Sequence, residues 1–371
     1  MAGPVSRTVV HFSSRPGDHP GRHESASRAW VAERLSRLLG YDYGGAFDAQ
    51  GRYAVTPYFV PGETLIEDEA RPLGIRDEHD LFGGVVPRAF LATKAIAHPV
   101  IDGGQAPAGW SQGFGFDLGD AVLRGYTAFD AGDARRAGRR LLEAGPARVK
   151  RGDGIAGRGQ TVVADVASLD AAIAQIEAEV LASHGVVIEE NLEDVTTFSV
   201  GRVVVGDQVA SYVGTQRATR DNHGHETYGG SDLVVVRGDY DLLLALQPES
   251  AFRRAVEDAR AFDAAVTRAY PGLLASRRNY DSVYGRDARG RIRIGLLEQS
   301  WRMGGASPAE IAALEVFQAD PGVKAVRACC VEVYGEGVVP PAGATAHFAG
   351  VDELAGRLTK YVYVKDHGIP P

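Results

Sequence analysis

The stretch 148-RVKRGDGIAGRGQTVV-163 decides how this chain is read. Gly152, Gly154 and Gly157 stand in the G-x-G-x-x-G spacing of a dinucleotide-binding loop, but Thr161, Val162 and Val163 beyond them are β-branched and favour a strand. In the dinucleotide fold the glycines must open a helix whose N-terminus meets the pyrophosphate, so that reading fails. A Walker loop fails as well, because no Gly-Lys-Ser or Gly-Lys-Thr follows. What remains is a hairpin between two strands. It is either a mobile surface turn or a tip whose glycine N–H groups approach phosphate oxygens, with the Lys150 ammonium beside them as a point charge.

Downstream, 168-SLDAAIAQIEAEVLAS-183 predicts one amphipathic helix, with Leu169, Ile173, Ile176 and Val180 as its buried stripe and Ser168 as N-cap. A strand (185-GVVIEENL-192) follows, then two alternating runs split at Gly206 and Asp207, then a helix over 248–270. A second hairpin, 280-YDSVYGRDARGRIRIGLLEQSW-301, turns between Arg286 and Gly290. These hairpins predict a largely antiparallel sheet. Upstream, 121–129, 131–145 and 147–150 predict strand, helix and strand. The Gly- and Pro-rich run 99–119 reads as a long loop, and 77–101 as weakly helical. At the N-terminus, a strand over 8–14 and a helix over 24–40 start an α/β unit. The expected division is an N-terminal α/β domain over 1–119, a small subdomain over 120–190 and a C-terminal subdomain over 191–371.

At 371 residues the chain exceeds a single ordinary core. With 44% hydrophobic and 24% charged residues it has globular composition, and its net charge of -8 argues against nucleic acid as the main partner. No apolar run approaches the roughly 20 residues of a membrane span, and MAGPVSRTVVHF lacks a signal-peptide core, so the expected location is the cytoplasm, with no membrane partner. The two cysteines, Cys329 and Cys330, are neighbours on a predicted strand and point to opposite faces.

In order along the chain, a lysine closing a strand, a glycine-rich strand-to-strand loop, an acidic hinge and a late pair of carboxylates resemble the ATP-grasp superfamily, from about Asp120 to Gly335. The whole chain is similar to an uncharacterised bacterial family within it, some of whose members carry a loose biotin carboxylase label. The resemblance implies an α/β (α+β) ATP-grasp fold, two α+β subdomains clasping a nucleotide after a smaller α/β N-terminal domain. It implies nucleotide binding by Lys94, Lys150, Gly154 and Gly157 at the phosphates. The hinge Glu189, Glu190, Asn191 and Leu192 would take the adenine, chiefly through the backbone of Glu190 and Leu192. An acidic residue usual before the Phe-Ser pair is replaced by Thr197. Asp281, Glu298 and Ser300 are the implied magnesium ligands: LLEQSWRMGG resembles Glu-x-Asn-x-Arg, with Glu298 and Arg302 matching and Ser300 standing for Asn.

The implied cofactors are ATP and Mg2+, and the implied activity is a carboxylate–amine ligase working through an acyl phosphate, with Lys150 and Arg302 catalytic. A small-molecule carboxylate and an amine are the expected partners, with a homodimer left open. The polar segment 215-TQRATRDNHGHETYGGSDL-233 reads as the substrate loop, and offers Arg217, Arg220, His223, His225 and Tyr228 alongside Arg302. A small-molecule kinase and a non-catalytic nucleotide-binding protein are the alternatives. A biotin-type carboxylase fits poorly, because MGGASPAE stands where Gln-Val-Glu-His is expected.

Overall fold

The computed structural model describes residues 6–14, 18–19, 21–152, 154, 159–246 and 250–367. Thr8–Phe12 (β1) runs parallel to both Asp42–Ala46 (β2) and Tyr58–Pro61 (β3), with His23–Leu39 (α1) crossing between the first two. Val31, Leu35 and Leu38 bury one stripe of α1. Gly40 ends the helix at φ 68, a left-handed conformation that a Cβ would oppose. Leu65–Ile66 (β4), Glu67–Leu73 (α2) and Gly84–Val86 (β5) follow.

Beyond β5 the structure corrects the weakly helical reading of 77–101. Residues Ala89–Ala92 and Lys94–Ala97 form two separate 3-10 turns. Thr93 divides them in an extended conformation, and its hydroxyl accepts the Ala95 N–H. A single helix would have lost that cap.

Phe114–Asp117 (α3) interrupts the Gly- and Pro-rich run. Then come Gly125–Ala128 (β6), Ala131–Leu142 (α4), Ala147–Arg151 (β7), Gln160–Val163 (β8), Val166–Ala174 (α5), Ala178–His184 (α6) and Val186–Glu190 (β9). The strands make an antiparallel sheet of order β6-β9-β7-β8. The single helix expected over 168–183 is two, because Glu177 is extended and starts a new turn. The cap is Asp165 rather than Ser168: its carboxylate accepts the Ser168 N–H, and the Ser168 hydroxyl accepts the Asp165 N–H. Leu169, Ile173 and Ile176 nonetheless share one core with Val149 and Ile188.

The third part holds Glu193–Val205 (β10), Gln208–Arg220 (β11), Glu226–Arg237 (β12), Tyr240–Leu246 (α7), Ala251–Ala269 (α8), Leu274–Ala275 (β13), Arg277–Arg286 (β14), Ile292–Ser300 (β15), Ser307–Ala319 (α9), Ala325–Tyr334 (β16), Thr345–Asp352 (β17) and Gly356–His367 (β18). Among the described residues one sheet runs β15-β14-β10-β11-β12-β16-β18-β17, each strand antiparallel to its neighbours. Side chains alternate between its faces. Phe198, Val200 and Tyr280 pack against Phe262 and Val266 of α8, while Val203, Tyr212 and Leu233 pack beneath α9 and α1. β13 also pairs with β5, so the C-terminal part completes a small sheet begun near the N-terminus.

The polar segment 215–233 is not a loop. β11 continues to Arg220 and β12 begins at Glu226, with Arg220, Thr219 and Ala218 paired to Glu226, Thr227 and Tyr228. The ladder satisfies the backbone and the polar side chains emerge at the strand ends. Cys329 and Cys330 are buried free thiols on β16. No helix among the described residues is long and apolar enough to cross a membrane.

Candidate active site

Asp281 of β14 stands directly opposite Glu298 of β15. A β-bulge makes this so: near the turn Arg286 pairs with Ile292 and Ser282 with Leu296, whereas beyond the bulge Asp281 pairs with Glu298 and Asn279 with Ser300. Leu297 is the extra residue, and its insertion turns Glu298 and Ser300 onto the face that carries Asp281. Gln216 on β11 donates to Asp281 Oδ1 at 2.7 Å, and Lys94 Nζ lies 2.6 Å from Glu298 Oε2. Burial, then the Glu298 charge, push the Asp281 carboxyl up to about 7, against the pull of Lys94. Gln299 fixes the segment that carries Lys94, donating to the Thr93 carbonyl at 2.6 Å and the Leu91 carbonyl at 3.3 Å.

A second charged cluster lies at the other end of that segment. Lys150 Nζ of β7 is 2.5 Å from Glu189 Oε1 of β9, and His98 Nε2 is 3.1 Å from Glu189 Oε2. The three side chains are 2%, 1% and 0% exposed, in the order Lys150, Glu189, His98. Burial alone would raise the Glu189 carboxyl, but Lys150 and His98 outweigh it and hold the group below the ordinary range. An ammonium carries three N–H donors, so the contact with Glu189 leaves this buried cation with donors to spare.

The two clusters are joined by backbone. The Lys94 N–H donates to the Gly152 carbonyl at 3.3 Å, and the Gly152 N–H donates to the Gly185 carbonyl at 3.0 Å. Lys94 therefore touches Glu298 with its side chain and the Lys150 strand end with its main chain.

The hinge is tied at both sides. The Glu190 carboxylate accepts the Arg124 N–H and Arg293 Nε, each at 3.1 Å, so β15 and the hinge share an ion pair. Asn191 accepts Arg148 Nη2 at 2.9 Å, and Leu192 packs with Leu123 and Val283. The Gly154 N–H donates to the Arg151 carbonyl at 3.2 Å; Gly157 lies outside the described residues.

The substrate candidates separate. Arg302 Nη1 donates to the Met303 carbonyl at 2.9 Å, and the Arg302 carbonyl accepts Nη1 of Arg277, whose buried guanidinium pairs with Glu310. The Tyr228 ring packs against Gly305 in the loop after Arg302, with its hydroxyl 2.8 Å from Ser231 Oγ. Tyr228 shares the face of Asp281, but Arg217, one position from Gln216, points to the opposite face toward Asp232 and Tyr363. Arg220, His223 and His225 sit at the β11–β12 tip, where Asn222 binds the Ala355 and Arg357 carbonyls of the β17–β18 turn. That turn is at the sheet edge away from β15. The expected grouping of all five side chains with Arg302 is thus corrected: strand alternation and strand length disperse them.

His98, Gln216 and Gln299 were not singled out by sequence. A lone histidine or glutamine carries no spacing signal, and each is placed by tertiary contact.

Residues 10–362 match the family described as "Protein of unknown function (DUF3182)". The chain belongs to this family. No curated protein matches it by sequence. Its structure is similar to biotin carboxylase from Campylobacter jejuni in complex with β,γ-ATP (TM-score 0.53, 12% identity, covering 97% of this chain and 87% of that one). It is also similar to an ADP complex of N5-carboxyaminoimidazole ribonucleotide synthetase (0.52, 13%, 98% and 93%). The ADP-bound N5-carboxyaminoimidazole synthetase of Staphylococcus aureus is a further likeness (0.51, 10%, 98% and 94%). Identities this low establish the fold, and the fold is ATP-grasp.

Proposed function

We propose that this chain is a cytoplasmic, ATP- and magnesium-dependent ligase that joins a small-molecule carboxylate to an amine through an acyl phosphate. The observation that carries the reading is the Asp281–Glu298 pair, joined through Lys94 to the strand end of Lys150. In the proposed division of labour, 120–190 and 191–371 close on the nucleotide, and 1–119 together with the Arg302 loop receives the acids and amines.

The donor set suits magnesium. Asp281, Glu298 and Ser300 present hard oxygens on one face, and two facing carboxylates, one with its proton affinity raised, lack a full counter-charge. These three residues would hold the ion; when bound, it neutralises charge on the phosphoryl oxygens. Lys150 and Lys94 add fixed positive charge, and Gly154 and Gly157 allow backbone N–H groups to approach the phosphates. Glu189, Glu190, Asn191 and Leu192 line the adenine end. The substrate carboxylate, oriented by Arg302, attacks the γ-phosphorus and ADP departs. The amine then attacks the acyl carbon, and phosphate leaves as the amine gives up a proton.

A screen of small acids and amines for ATP-dependent phosphate release tests this, with Glu298→Ala as the blank. Release that needs both an acid and an amine supports the ligase. A phosphorylated product instead marks a kinase, and ATP binding without turnover a non-catalytic protein. Activity that survives Glu298→Ala overturns the site.

A further inference from the structure

A buried arginine grips the end of the strand that carries Glu298. Arg277 opens β14 four residues before Asp281, so strand alternation puts both on one face, and the Arg277 side chain is wholly buried. Its Nε donates to Glu310 Oε2 at 2.9 Å and its Nη2 to Glu310 Oε1 at 2.8 Å. Tyr212 of β11 gives its O–H to the same Oε1 at 2.6 Å. The remaining nitrogen, Nη1, donates to the Arg302 carbonyl and reaches the Ser300 carbonyl at 3.4 Å. One guanidinium thus ties α9 and β11 to the two carbonyls that bracket Trp301.

The bracketed segment is held elsewhere too. The Trp301 side chain is buried, and β5 approaches so closely that a Cβ on Gly84 would stand 2.8 Å from Trp301 Cβ. Beyond Arg302 the chain turns tightly into α9: the Ser307 N–H donates to the Gly304 carbonyl at 3.0 Å, and the Gly304 N–H to the Ser307 hydroxyl at 3.1 Å.

Stability alone does not account for the Arg277–Glu310 pair. Taking two charges out of water is costly, and well-packed apolar residues often replace a buried ion pair without loss. Apolar residues could not hold two main-chain carbonyls in a fixed direction, whereas a planar fork of donors does.

We propose that Arg277 is a positioning residue of the ligase site, with Glu310 and Tyr212 fixing the plane of its guanidinium. By holding the carbonyls on either side of Trp301, it sets where the Ser300 hydroxyl and the Arg302 side chain stand relative to Asp281 and Glu298. It acts through the main chain of those residues, and the proposal rests on the ligase reading of the site.

Two calorimetric titrations of the intact chain test it, one with Mg2+ alone and one with ADP in EDTA. Arg277→Lys keeps the charge but offers one nitrogen in place of the fork, and Tyr212→Phe removes only the hydroxyl that orients Glu310. Arg277→Lys should weaken Mg2+ binding about tenfold and Tyr212→Phe by less, with ADP affinity unchanged in both. A merely structural role would lower both affinities together or neither. Equal losses of the two ligands, or Mg2+ binding unchanged in Arg277→Lys, overturn the proposal and leave the ligase reading standing. Should Arg277→Lys fail to fold, the same split in Tyr212→Phe decides. Failure of the wild type to bind Mg2+, or to bind ADP, overturns the ligase reading, and this proposal falls with it.

Discussion

Lys94 Nζ lies 2.6 Å from Glu298 Oε2, while Asp281, directly across the strand pair from Glu298, has no ion pair of its own among the described residues. One ammonium thus serves two facing carboxylates. The deficit is expressed in the Asp281 carboxyl, raised to about 7 by burial first and the Glu298 charge second.

That shift sets a pH dependence. A carboxyl whose folded pKa exceeds its unfolded value binds its proton more tightly in the native state. Its stabilising contribution is full below an ordinary value of 3.8 and is lost as pH rises through about 7. Asp281→Asn keeps the acceptor for Gln216 and removes the titration. The variant should melt higher than wild type at pH 8, with a smaller difference at pH 5, in a thermal-denaturation series. Equal melting temperatures at pH 8 would count against the assignment.

Magnesium should stabilise the wild type in proportion to the logarithm of its concentration once it exceeds the dissociation constant, because binding to the native state alone raises stability by mass action. Asp281→Asn and Glu298→Ala should each abolish the rise in melting temperature. A rise of equal size in both variants would place the ion elsewhere.

Glu189→Gln would leave the Lys150 ammonium buried without its counter-charge. Removing one partner of a buried pair typically costs about 3 to 5 kcal/mol, so urea unfolding should show a loss of that order. His98→Gln, which removes a hydrogen-bonded partner at 3.1 Å while leaving the Lys150–Glu189 pair, should cost about 1 to 3 kcal/mol.

Gly152→Ala is expected to damage stability and nucleotide affinity together. An added Cβ would stand 2.0 Å from the His184 carbonyl oxygen, which is backbone and cannot rotate away. Relief requires moving the strand end that binds the Lys94 main chain, at a cost of about 1 to 3 kcal/mol. Gly113→Ala, where nothing lies within 4 Å, is the control and should be near neutral by calorimetry.

Much of the fold was legible from local pattern. The β14–β15 turn is read from Arg286 to Gly290 between alternating runs, and the helix expected over 248–270 is α8, Ala251–Ala269, which the Ser250 side chain caps. The break between α5 and α6 was not legible, since Leu169, Ile173, Ile176 and Val180 keep helical spacing across it. Nor was the fate of 215–233, because exposed polar strand ends resemble a loop when only composition is read.

The sequence by itself determined the hairpin of Lys150, the strand positions of Asp281 and Glu298 and the acidic hinge, because local periodicity and turn chemistry are written in neighbouring residues. Only the tertiary structure decided that the two carboxylates share a face. Simple alternation from the turn would set Glu298 opposite Tyr280 on the other side, and it is the Leu297 bulge that reverses this. The Lys94–Glu298 and His98–Glu189 contacts were likewise decided by the fold, since Coulomb attraction and burial depend on distance in space and not along the chain.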